Sequence, residues 1–309
     1  MVHVRKLLPG DIDQVVQRIG ARLGDDAALQ PLVNPEISLD ELAGALHAAT
    51  ASTWIALDGD RLVGHLYGAL LENDVYGPGV WIGPDGVSFD TDDVLAGLYA
   101  VAAQEWIDAG AREHYAWVLD HCSSTDAWYE LGFARMHLRG VLELNRPRSR
   151  ALPDGYRLSK GSVQDLDTCV KLATELDEAQ ARGPSFALDL PTASQRDELA
   201  ETLEDPDVTL FIVEQGSQAV AQCITFALAP RRGSFDSTLH LSAVVVSEQH
   251  RGRGVATSMI DSALEEARAA GLEFAETNWR VTNHQASRFW TRYGFASTYV
   301  RLHRTIGAG

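Results

Sequence analysis

Ser247-Glu248-Gln249-His250-Arg251-Gly252-Arg253-Gly254-Val255-Ala256 stands between an apolar run, Thr238–Val246, and a helical pattern that continues to Ala270. An apolar run ended by a glycine-bearing loop and followed by a 3.6-residue period reads as strand, loop, helix. The first turn of a helix carries unpaired N–H groups and the positive end of the helix dipole, so this junction suits an anion. Gly252 and Gly254 let the main chain approach a ligand with no Cβ in the way, while Arg251 and Arg253 add positive charge. A tight turn that merely needs glycine is the plainer reading. The strand–loop–helix context favours the ligand.

The surrounding elements follow the same order in both directions. Upstream come a strand near Tyr156–Leu158, a helix over Val163–Ala181, the loop Arg182–Pro191 and a helix over Ser194–Leu203. Asp207–Val213 and Gln218–Leu228 form a hairpin turned at Gln215-Gly216-Ser217. Downstream, Phe274–Val281 is a strand, His284–Tyr293 a helix and Thr298–Thr305 a last strand. Hairpins followed by strand–helix–strand define an α/β (α+β) fold, a mixed, mostly antiparallel central sheet with helices on both faces.

The first half of the 309-residue chain repeats this pattern. Trp117…Trp128-Tyr129-Glu130-Leu131-Gly132-Phe133 and Trp279…Trp290-Thr291-Arg292-Tyr293-Gly294-Phe295 share tryptophans eleven residues apart and a Gly-Phe four residues later. Asp108-Ala109-Gly110-Ala111 aligns with Ala269-Ala270-Gly271-Leu272. Thr53–Asp60 aligns with Thr209–Gly216, and Arg5…Asp11-Ile12-Asp13 with Arg157…Asp165-Leu166-Asp167. Four matches in one order mean duplication. Residues 1–145 form one copy and 156–309 the other. The segment 146–155, with two prolines and three arginines, is the linker.

The motif Gln249-His250-Arg251-Gly252-Arg253-Gly254 resembles motif A of the GNAT superfamily, the acyl-CoA-dependent N-acyltransferases. The family's next motif is matched by Asn283, Ala286, Trp290, Gly294 and Phe295 at the family's spacings. The resemblance covers about 155–305 well and 1–145 more faintly, which implies two tandem GNAT-like domains. It also implies acetyl-CoA as cosubstrate. Main-chain N–H groups from Arg251, Gly252, Arg253 and Gly254 to Val255 and Ala256 would hold its pyrophosphate. Val244, Val245 and Val246 would pair with the pantetheine arm and polarise the thioester carbonyl, and Asn283 would meet the pantetheine amides. Trp290 departs from the family's tyrosine. An indole cannot protonate a leaving thiolate, although it suits packing beside the cosubstrate. Tyr293, one turn on, belongs to a position that packs inward.

A base must take the amine proton. Along Thr238–Ala243 polar and apolar residues alternate, so one face is core and the other polar. His240 lies on the polar face of the strand leading to the thioester site, and an imidazole ordinarily titrates near 6.5. Glu276, on the strand before Asn283, is the second candidate. In the first copy Asp90-Thr91-Asp92-Asp93 aligns with Arg251-Gly252-Arg253-Gly254, and His121 stands for Asn283. Acidic residues there oppose a pyrophosphate, so this copy is expected to be a degenerate domain that walls the acceptor pocket.

Composition narrows the rest. Hydrophobic residues make 45% and charged residues 22% of the chain, which excludes a disordered class. A formal charge of −17 disfavours nucleic acid and anionic membranes as partners and favours a small cationic amine as acceptor. The three separated cysteines, Cys122, Cys169 and Cys223, fit a reducing compartment, and neither a secretory signal nor a membrane span is visible. A cytoplasmic N-acetyltransferase working by direct attack in a ternary complex is the expected function, with no metal and with a homodimer left open. A chain that binds acyl-CoA without turning it over, as a sensor or interaction protein, is the competing class, and Trp290 speaks for it.

Overall fold

Apolar side chains recur every third or fourth residue along the helices and run consecutively through central strands such as Leu210–Val213, which are buried on both faces. The computed structural model describes residues 2–72, 78–187, 192–229 and 231–307. The end of the loop expected at Arg182–Pro191, residues 188–191, lies outside the described residues. Two units form by mutual contact. One consists of Met1–Arg139 with Arg232–Ser234 and Ser297–Gly309, the other of Gly140–Arg231 with Phe235–Ala296.

The first unit runs β1 (Val2–Lys6), α1 (Ile12–Leu29), α2 (Leu39–Ala48), β2 (Thr53–Asp58), β3 (Arg61–Tyr67), β4 (Ala69–Leu71), β5 (Gly79–Ile82), β6 (Val87–Phe89), α3 (Asp92–Asp108), β7 (Glu113–Leu119), α4 (Ser124–Glu130) and into β8 (Ala134–Glu143). β1, β2, β3 and β6 pair antiparallel in that order. β5 pairs parallel with β7 and antiparallel with β4. Trp54, Trp106 and Trp128 fill the core on the α3 side, and α1 and α2 cover the other face through Val15, Ile19, Leu23 and Leu42.

The second unit runs β9 (Tyr156–Lys160), α5 (Leu166–Ala181), α6 (Thr192–Glu204), β10 (Thr209–Gln215), β11 (Gln218–Ala227), β12 (Thr238–Val246), α7 (Val255–Ala269), β13 (Phe274–Arg280) and α8 (His284–Tyr293). β9, β10, β11 and β12 are antiparallel neighbours, and β12 pairs parallel with β13. The sheet is therefore mixed and mostly antiparallel, as the hairpin pattern implies. The order of elements follows the first unit, where five shorter strands, β2 to β6, stand in the place of β10, β11 and β12.

The chain's last strand departs from a linear division at 156–309. β14 (Ala296–Thr305) pairs antiparallel with β7, from Tyr299↔Leu119 to Thr305↔Glu113. Its Val300 and Leu302 enter the core with Trp54 and Trp106. Strand patterning sets which face is buried but not which neighbour is chosen, so only tertiary pairing places β14. Among the described residues no helix is long and apolar enough to cross a membrane.

Candidate active site

The loop between β12 and α7 is built by two backbone requirements. Gly252 and Gly254 adopt φ of +73° and +88°, the left-handed region that glycine enters without penalty. Gly254 is the N-cap of α7, and the first bond of that helix runs from the Ser258 N–H to the Gly254 carbonyl at 3.0 Å. The N–H groups of Val255, Ala256 and Thr257 thus have no partner within the helix. A Cβ built at either glycine meets nothing within 4 Å. The glycines therefore border open space and are not required by packing.

That open space is a cavity of 1270 Å³ within the second unit. Gln249, Arg251, Gly252, Gly254, Val255 and Ala256 form one wall. Arg251 turns its guanidinium back on the strand, donating from Nε to the Val246 carbonyl at 2.9 Å and from Nη1 to Gln285 at 3.4 Å. It braces the loop with two of its three nitrogens. Arg253 is exposed and is not part of the cavity wall.

Val244, Val245 and Val246 form the adjoining wall. Pairing of β12 with β13 ends at Leu241↔Thr277. Opposite β11 the register slips, from Ile224↔Ser242 to Gln222↔Val245, so β12 carries one extra residue there. Ala243 takes up that residue with φ of +46°, a costly conformation for an alanine. Such a bulge takes main-chain groups out of the ladder and re-aims them. It falls where β12 parts from β13, so the strand offers unpaired main chain to the cavity.

The α8 side closes the cavity. Asn283 caps that helix, its Oδ1 accepting from the Ala286 N–H at 3.1 Å, and it lines the cavity beside Trp290. Trp290 is 5% exposed and packs among Trp279, Phe289 and Phe295. Tyr293 lies off the wall. Its hydroxyl donates to the buried Asp261, and burial first, then that carboxylate, push the phenol well above its ordinary range. It is a packing residue.

His240 and Glu276 come together but away from the cavity wall. They are register partners on β12 and β13, with Nδ1 3.8 Å from Oε1. Glu276 is fully buried and ion-paired with Arg231. His240 lies four residues before Val244, about 13 Å along the strand. The alternation along β12 located its polar face. It carried no information on what covers that face.

Several cavity residues gave no signal in the sequence. Glu175, Glu178 and Arg182 come from the end of α5 and the loop after it, and Arg150 from the linker. Ser185 reaches the cavity because the Thr282 hydroxyl bonds to it at 3.1 Å. None of these positions falls in a spaced motif.

The first unit handles the same junction differently. α3 starts at Asp92, capped by Thr91 with an extended φ of −143°, and no left-handed residue occurs across Asp90–Asp93. Asp90 accepts from Arg18 at 2.6 Å and from Arg61 at 3.0 Å. The strand equivalent to β12 is broken in two, β5 and β6, at Gly83–Gly86.

A bulged strand parting from its parallel neighbour thus meets, on one cavity, a helix start with left-handed glycines. Residues 174–295 match the acetyltransferase (GNAT) family model. An aminoalkylphosphonate N-acetyltransferase from Salmonella typhimurium is 24% identical over 163 residues, spanning 53% of this chain and 99% of the relative. A GCN5-related N-acetyltransferase from Sphaerobacter thermophilus superposes with a TM-score of 0.65 at 17% identity, over 100% of this chain and 96% of that one. A tandem GNAT protein from the clavulanic acid biosynthesis pathway superposes with a TM-score of 0.55, also at 17% identity, over the whole of both chains. At such identities the structural likenesses show the fold. Residues 174–295 are thus a GNAT acetyltransferase domain, which makes the chain an acyltransferase, and the whole chain has the fold of tandem GNAT proteins.

Proposed function

We propose that the second unit transfers an acetyl group from acetyl-CoA to the primary amine of a small, cationic molecule, by direct attack while both are bound. The observation that carries this reading is the convergence of two main-chain features on one cavity. One is the bulge of β12 at Ala243, leading into Val244–Val246; the other is the start of α7 behind Gly252 and Gly254. Acetyl-CoA would supply an activated acyl group and a thiol that leaves.

The chain's own residues then have distinct tasks. The N–H groups at the start of α7 bind phosphate, and the open approach at both glycines lets it come close. Val244–Val246 offers main-chain donors to amides and to the carbonyl oxygen, an electrostatic role that needs no side chain. Asn283 and Trp290 hold the arm against α8. His240, oriented by Glu276, accepts the amine proton through solvent. No cysteine stands on the described cavity wall, and burial pushes the Cys169 thiol up to about 11 and raises that of Cys223 further. Direct attack is therefore favoured over an acyl-cysteine relay. Glu175, Glu178 and Glu248 on the wall, with the net charge of −17, favour a cationic acceptor. We place the reaction in the cytoplasm and assign the first unit a supporting role.

Release of free thiol from acetyl-CoA across a panel of amines tests the proposal. Turnover fastest with small cationic amines, and weakening with salt, is expected. CoA binding without thiol release for any amine would favour a binding protein that has lost catalysis.

A further inference from the structure

Neither loop arginine extends an unoccupied fork into the cavity. Arg251 is committed to Val246 and Gln285, and Arg253 is off the cavity wall. Arg182 lies 3.8 Å from Glu178. Arg150, from the segment that joins the two repeats, also lines the cavity, and among the described residues it takes part in no ion pair.

The linker around Arg150 is held in place although its backbone is irregular. On one side, the Arg148 N–H donates to Glu265 at 3.4 Å and its guanidinium reaches the Tyr293 carbonyl at 3.3 Å, lying 4.9 Å from that ring's centre. On the other side, the Ser258 hydroxyl donates to the Ala151 carbonyl at 3.0 Å. Ser258 also bonds back to Gly254, the cap of α7. Arg150 therefore sits between anchors on α7 and α8, one helical turn from the N–H groups of the phosphate-binding end.

We propose that Arg150 is a phosphate ligand of this cavity, placing its guanidinium on a phosphate at the nucleotide end of CoA. The inference rests on the acetyl-CoA reading above. The arginine fork matches two phosphate oxygens at once, which a lysine cannot do. The linker thus contributes to cosubstrate binding as well as connecting the repeats. The pyrophosphate and the 3′-phosphate share this chemistry, and CoA compared with 3′-dephospho-CoA tells them apart.

Titration calorimetry of the full chain with both ligands, at two salt concentrations, tests the assignment. Arg150→Ala weakens CoA binding about tenfold and flattens its salt dependence. Arg146→Ala, which removes the same charge from the same linker off the cavity wall, changes Kd less than twofold. If the 3′-phosphate is the partner, dephospho-CoA binds wild type and Arg150→Ala alike. If the pyrophosphate is the partner, the variant loses affinity equally for both ligands. An Arg150→Ala protein that titrates CoA as wild type does, or an Arg146→Ala protein equally weakened, overturns the proposal. A wild-type chain that binds no CoA overturns the cosubstrate reading, and this one with it.

Discussion

His240 and Glu276 face each other across the parallel pair β12–β13, with Nδ1 3.8 Å from Oε1 and the carboxylate fully buried against Arg231. A carboxylate fixed beside an imidazole orients the ring. The ring centre is 5.1 Å from that of Phe226, which packs it from the neighbouring strand.

His240→Ala is expected to lower kcat by about 10²-fold and leave CoA affinity unchanged, because the residue is off the cavity wall. The rise of kcat with pH should also be lost. Steady-state kinetics across pH, paired with CoA titration, checks both. A variant whose pH profile matches wild type would move the role to a carboxylate on the wall, such as Glu175.

One chain should bind one CoA. The second unit offers helix N–H groups behind two left-handed glycines; at Asp90–Asp93 the first offers carboxylates, with Asp90 already paired to Arg18 and Arg61. Gly252→Asp with Gly254→Asp should abolish binding, through like charge and a left-handed conformation that costs about 1 kcal/mol or more at each position. A calorimetric stoichiometry of two would refute this assignment.

Tyr293→Phe separates an acid catalyst from a packing residue. The Tyr293 hydroxyl donates to Asp261, which is 8% exposed. Losing that donor leaves a buried carboxylate short of a partner and should cost about 1–3 kcal/mol of stability. Thermal unfolding should shift down while kcat stays within about twofold. A large fall in kcat at unchanged stability would make the phenol catalytic.

The first unit should lose stability in mild acid. Burial pushes the imidazole of His65 down to about 3 and that of His114 down to about 4, from an ordinary 6.5. His65 bonds to the Ser88 hydroxyl at 2.7 Å, and His114 to the Tyr99 hydroxyl at 2.7 Å. Both stay neutral in the folded protein while the unfolded chain takes up protons below 6.5. Their contribution is therefore complete above 6.5 and shrinks as pH falls, by about 2 kcal/mol each at pH 5. Denaturant melts at pH 7, 6 and 5 measure it, and a flat stability curve over that range would contradict the buried neutral state.

Much of the fold was legible because its signals are local. The period of apolar residues gave nearly every element of the second half, with boundaries one or two residues off, and the tryptophan and Gly-Phe spacings gave the repeat. The turn into α7 was legible for the same reason. Left-handed backbone demands glycine, and Gly252 and Gly254 stand where the helix begins.

The sequence by itself thus determined the order of strands and helices, their repetition and the glycine turn that opens α7. Tertiary structure alone decided what each element pairs with and what each side chain faces. β14 joins β7 because strand edges compete for partners across the whole chain, and alternation along Ala296–Thr305 is the same whichever edge wins. The bulge at Ala243 arises from β12 having to satisfy β11 on one side while leaving β13 on the other. The Arg251 side chain turns back on Val246 and Gln285, and Arg150, read as linker, lines the cavity. A long flexible side chain goes to the acceptor within its reach, and that acceptor is set by residues distant in the sequence.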